Sequence, residues 1–182
     1  SPGATAEQEV NELTANECYS IFCKDKEREF GSISPKGDYW FDNSIQKIRY
    51  FCINCKKNAT IFVETTSWFG QELEDVPNGY TIVVLSHIGV NVIADDNVVI
   101  ADSLSGITSM MDALKTGTSV TVDGVTYDYT GKDVDVACLI SGHVHSDHAI
   151  STPEGIPVIS VVCDRAARSN SSDLFKAIRK IG

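Results

Sequence analysis

Three short aliphatic runs limit what this chain can fold into. Residues 80–85 read YTIVVL, between Asn78-Gly79 and Ser86-His87. Residues 134–140 read VDVACLI and stop at Gly142-His143-Val144-His145, and residues 156–162 form the third run. Runs this short, rich in β-branched residues and bounded by turn signals, are buried strands rather than helices. Two of them end at histidines, so the strand ends carry the first hint of chemistry.

The rest of the chain supplies elements that cover such strands. Thr14 and Glu17 form a capping box for a helix over 14–30, which Gly31 would stop. Residues 37–42 and 47–54 read as a hairpin, with its turn at 42–44. Residues 56–79 look irregular, with a short helical stretch near 71–75, and residues 88–106 read as loop. A helix is expected over 108–114, closed by Gly117. Alternation over 119–130 around Asp123-Gly124 gives a strong hairpin signal. Leu174, Phe175, Ile178 and Ile181 stripe a closing helix. Buried strands mixed with hairpins and peripheral helices predict one α/β layered domain over residues 1–182.

Composition excludes several classes. A net charge of −10 disfavours binding to a nucleic-acid backbone. The basic cluster Arg165, Arg168, Lys176, Arg179 and Lys180 reads as a solvated helix face. No apolar run is long enough to span a membrane, and no signal peptide is visible. The expected location is cytoplasmic or within a virion. The six cysteines then read as reduced thiols rather than a disulfide framework. Cys52 and Cys55 form a CxxC, but three residues apart on a strand they point to opposite faces and cannot chelate one metal. Asn58-Ala59-Thr60 matches a glycosylation sequon by chance.

All four histidines fall in two places, His87 after one buried strand and His143, His145 and His148 after another. Layered α/β folds place their sites at strand ends. If the segment is extended, His143 and His145 project to one side and can address two metal positions about 3.5–4 Å apart. Neutral imidazole suits first-row transition metals.

Ser86-His87 after YTIVVL, and Ser141-Gly142-His143-Val144-His145 after VACLI, resemble the last two motifs of calcineurin-like metallophosphoesterases. The hairpin VDGVTYDYTGK before GHVH is similar to that of the family's bacterial and phage members. The resemblance covers nearly the whole chain. It implies a layered β-sandwich flanked by helices, of which only the C-terminal half is expected here. It implies two divalent transition metals, Mn, Fe or Zn, with His87 and His143 on one and His145 on the other. Asp147 and His148 would be neighbours of the site rather than ligands. The family's DxH, GDxxD and GNHD/E motifs do not occur in this sequence. The catalytic histidine is therefore expected upstream of Ser1, in an N-terminal half supplied in cis or as a separate chain.

Two rivals need weighing. Residues 37–42 mimic GDxxD, but their spacing is one residue too long and they lie in a hairpin. Residues 143–148 match the HxHxDH signature of metallo-β-lactamases, yet no histidine follows His148 to complete that ligand set. The expectation is a metal-dependent phosphoesterase acting on a phosphomonoester or phosphodiester, inactive as this chain alone. The alternative is a non-catalytic structural or binding module derived from one, such as a phage virion component. Should carboxylate ligands come from within the chain, Asp95, Asp96, Asp102 and Asp147 are the candidates.

Overall fold

The computed structural model describes residues 31–55 and 60–162. The helices expected over 14–30 and near the C-terminus, the basic cluster and the sequon lie outside the described residues, as do Cys18, Cys23 and Cys163. The described chain runs β1 (Ser32–Ile33), β2 (Tyr39–Asn43), β3 (Ile48–Ile53), α1 (Val63–Glu74), β4 (Tyr80–Ser86), β5 (Val90–Val92) and β6 (Val98–Ile100). It continues through α2 (Ser105–Thr116), β7 (Ser119–Val122), β8 (Val125–Asp128), β9 (Val134–Ser141), β10 (His148–Ser151) and β11 (Pro157–Ser160). Among the described residues, no helix is long and apolar enough to cross a membrane.

Seven strands form one mixed sheet in the order β1-β2-β3-β4-β9-β11-β10. The three aliphatic runs become β4, β9 and β11, which with β3 make a parallel centre. Antiparallel strands finish both edges. The expected α/β class is present. Among the described residues, however, the second sheet of a sandwich is not formed, and the other strands make only the ribbons β5-β6 and β7-β8.

The central strands follow sequence order across the sheet, so right-handed crossovers put every connecting helix on the same side. Burial follows. In β3, Arg49, Phe51 and Ile53 are buried, while Ile48, Tyr50 and Cys52 are half-buried. The core combines Phe51, Ile82, Val84 and Leu139 from the sheet with Phe69 and Leu73 of α1 and Ile107, Met110, Met111 and Leu114 of α2.

Helix α1 is much longer than the stretch expected near 71–75. Thr65, Thr66 and Gly70 have modest helix propensity, which hid its first two turns. Packing holds them: Thr65, Phe69 and Leu73, spaced four apart, are all buried. Gly70 is required where Tyr127 crosses the helix, because a Cβ there would lie 2.4 Å from the Tyr127 ring. Helix α2 also exceeds its expected span and ends at Gly117, in the left-handed conformation (φ +63°) favoured at helix C-termini. The stretch 88–106 is not all loop, since β5 and β6 pair within it.

Asp38 ties this layer together near the sheet's C-terminal edge. It is fully buried. Its carboxylate accepts hydrogen bonds from the Asn54 backbone N–H at 2.7 Å, the Thr65 hydroxyl at 2.7 Å and the Ser34 hydroxyl. Burial raises its pKa above the usual carboxylate value, and these hydrogen bonds only partly oppose the shift. Asp38→Ala should cost about 1–3 kcal/mol, since it strands buried donors. A raised native pKa means that the folded state holds the proton longer than the unfolded state. Stability therefore falls as pH rises from the ordinary carboxylate value through the raised one. Urea denaturation at several pH values should show wild type losing ground to Asp38→Asn across that window. The opposite slope would refute the assignment.

Candidate metal centre

The register of β4 and β9 builds the site. Leu85 pairs with Ile140 in parallel, so the residues that follow run side by side past the sheet edge. The Gly142 N–H donates to the His87 carbonyl at 3.1 Å. The chain after His87 stays against β9 because Ile88 and Val90 are buried and Gly89 has no side chain. A Cβ at Gly89 would sit 1.9 Å from the Ser141 Oγ. On the other flank, the Ser160 hydroxyl donates to the Gly142 carbonyl at 2.9 Å, and the Val161 N–H to the Ser141 carbonyl at 2.8 Å.

This backbone presents His87 and His143 to each other. Nε2 of His87 lies 3.0 Å from Nδ1 of His143, one ring donating and the other accepting. The rings meet edge to face, with centroids 4.9 Å apart. Both residues are exposed. Two nitrogens sharing one zinc at Zn–N bonds of about 2.0–2.1 Å stand about 2.9–3.4 Å apart between right-angled and tetrahedral arrangements. The observed separation fits a pair of donors to one metal.

His145 is placed differently from the expectation. The segment is not extended: His143 and His145 have φ of +66° and +55°, and the Val144 N–H donates back to the Gly142 carbonyl at 2.8 Å. Positive φ is uncommon outside glycine and costs roughly 1–2 kcal/mol per residue. His145 is close enough for its charge to act on His143. Yet among the described residues no three His, Cys, Asp or Glu side chains gather closely enough to hold a metal ion. The pair therefore fits as part of a metal site, and further donors are needed.

The remaining candidates do other work. The Asp147 carboxylate accepts from the Val162 N–H at 2.8 Å and fixes the chain leaving β11. His148 opens β10, with its Nε2 2.7 Å from the Ser146 hydroxyl. The HxHxDH residues thus diverge. Asp42 of the GDxxD mimic forms a two-point ion pair with Arg49, at 2.8 and 2.9 Å. Asp95 and Asp96 sit in the β5–β6 turn, and Asp102 opens a short 3-10 turn before α2. Cys52 and Cys55 are free thiols; the Cys55 sulfur lies 3.6 Å from the Ser86 hydroxyl.

No family model matches the chain, and no curated protein matches it. One solved structure is similar. It is the crystal structure of a dimetal phosphatase from Danio rerio, 12% identical, covering 84% of this chain with a TM-score of 0.49. The match spans 57% of that chain, little more than half its length.

Desolvation, then repulsion from His87 and His145, lowers the His143 pKa below the ordinary histidine value. A depressed histidine pKa means that the unfolded chain takes up the proton first. Stability is therefore lost as pH falls below the ordinary histidine value. His87→Ala removes one repelling charge and should move the His143 titration upward, as read by ring NMR with chelator present. A downward move would contradict the paired geometry.

Proposed function

We propose that this chain is the histidine-bearing part of a metal-dependent phosphoesterase, with His87 and His143 as donors to one divalent metal and His145 toward a second. The observation that carries the reading is the 3.0 Å approach of the His87 and His143 ring nitrogens at the ends of adjacent parallel strands. The Ser86-His87 and Gly142-His143-Val144-His145 motifs resemble those of calcineurin-like metallophosphoesterases and supply the reaction class. Bound divalent metals would supply Lewis-acid polarisation of a phosphoryl oxygen and a water of lowered pKa. The chain's own part is to aim the two imidazoles at each other and to keep that of His143 neutral. The lowered pKa of His143 keeps its ring in the metal-binding form further into acid. The Gly142–His87 backbone bond fixes the spacing between the rings. Carboxylate ligands and a catalytic histidine would come from an upstream segment, in cis or as a partner chain.

A second reading is favoured by the shortage of ligands among the described residues. It makes the chain a non-catalytic module retained from such an enzyme, as in a virion. One experiment separates the two. Cobalt or manganese binding is measured on the 182-residue chain, and hydrolysis of an aryl phosphate and a bis-aryl phosphodiester is followed with and without the upstream segment. The enzyme reading expects weak metal binding by the chain alone and no efficient turnover. It expects activity when the segment is restored. His87→Ala or His143→Ala should weaken metal binding by more than the roughly 10–100-fold that losing a ligand's hydrogen-bond partner costs. Metal binding indifferent to both substitutions would sink it. Turnover near ~1–10³ s⁻¹ from the chain alone would show that the missing ligands come from within it.

A further inference from the structure

Strand β11 bears none of the histidines, yet it lies beneath the loop that carries two of them. The chain leaves β9 at Ser141 and returns as β10 at His148. Both residues are in register with Ser160, Ser141 through parallel pairing and His148 through antiparallel pairing. Residues 142–147 therefore arch over the end of β11, across two strand spacings or about 9–10 Å. Two contacts rise to the arch from below. The Val162 N–H donates to the Asp147 carboxylate at 2.8 Å, and the Ser160 hydroxyl donates to the Gly142 carbonyl at 2.9 Å. Ser160 is only 1% exposed. A hydroxyl buried this deeply has given up water, so its protein partner must replace that water.

The Gly142 carbonyl also accepts the Val144 N–H at 2.8 Å. A bond from residue i+2 back to residue i, with φ of +66° at His143 between them, makes a γ-turn of the rare, strained hand. Such a conformation persists only where its surroundings over-determine it. Val144, packed against the core, holds one side of the turn. Ser160 holds the other. The Gly142 carbonyl and the His143 N–H belong to one rigid peptide plane. Fixing the oxygen from below fixes that plane, and with it the direction in which His143 projects. The His143 Nδ1 stands 3.0 Å from the His87 Nε2. We propose that Ser160 is a positioning residue, whose hydroxyl holds the Gly142–His143 peptide so that His143 is aimed at His87 and the two rings can share one metal. The metal half of this inference rests on the phosphoesterase reading of the pair.

Ser160→Ala removes the hydroxyl and little else, so the sheet is expected to stay folded. Tyr129→Phe is the control. Tyr129 is fully buried, and its hydroxyl donates to the Gly70 carbonyl of α1 at 3.2 Å, a bond of the same kind outside the histidine loop. In the full chain with chelator present, ring-to-ring NOEs between His87 and His143 are expected in wild type and in Tyr129→Phe, and are expected to vanish in Ser160→Ala. Cobalt affinity, read from the visible spectrum, is expected to fall about 10–100-fold in Ser160→Ala, the usual effect of losing the support behind a ligand. It is expected to hold in Tyr129→Phe. NOEs retained in Ser160→Ala overturn the proposal. So does an equal loss of cobalt affinity in the two variants, which would make Ser160 one more buried hydroxyl. Cobalt binding indifferent to His87→Ala and His143→Ala overturns the phosphoesterase reading instead, and the metal-free NOEs still decide whether Ser160 aims His143.

Discussion

Parallel pairing of β4 with β9 is the constraint on which the rest of this molecule depends. With Leu85 opposite Ile140, the next residues on each strand must leave the sheet together. A slip of one residue would exchange the buried and half-buried faces of β4. It would also break the bond from the Gly142 N–H to the His87 carbonyl. The fully buried Ile82, Val84 and Leu139 fix the register by burial, so the histidine spacing is set by the hydrophobic core several residues away. Gly89 completes the arrangement by letting the chain after His87 press against Ser141.

Among the described residues, the same topology makes the sheet one-sided. Strand order that follows sequence order sends α1 and α2 to one face, and the core forms there. The other face carries Phe41 stacked on Tyr50, with centroids 4.9 Å apart, and the row Tyr39, Cys52, Leu85 and Ile140. Parallel strands are usually covered on both faces. Here, among the described residues, the row on the second face is only half-buried. Asp38 shows the complementary solution, in which a carboxylate inside the helix-covered layer is tolerated because donors from Ser34, Asn54 and Thr65 surround it.

Much of this was legible in the sequence. The aliphatic runs at 80–85, 134–140 and 156–162 became the central strands β4, β9 and β11, and Asp123-Gly124 marked the β7–β8 turn. Local pattern failed where tertiary contacts overrode propensity. Thr65, Thr66 and Gly70 concealed the start of α1, and the short β5–β6 ribbon lay inside what read as loop. Within the site, the meeting of His87 with His143 follows from two strand ends and a family-like motif. The turn that gives His143 and His145 positive φ does not, because HVH reads equally well as extended chain.

The histidine loop is where the chain departs from what folding alone would favour. Two histidines hold left-handed backbone conformations. Two imidazoles lie in direct contact, and the pKa of His143 is lowered by its neighbours as well as by burial. The left-handed backbone and the repulsion felt by His143 work against stability, while Val144 between the two histidines packs against the core and helps to hold the turn. Backbone strain and like-charge crowding persist where the surrounding structure over-determines them, and they gather at binding and catalytic sites. Here the surrounding structure is a clamp of backbone hydrogen bonds through Gly142, Ser141 and Ser160. A cation held by both rings would take the place of the hydrogen bond between them. Acid would oppose that exchange by protonating the same nitrogens. The proton and the metal therefore compete for one pair of atoms, whose spacing the sheet has already fixed.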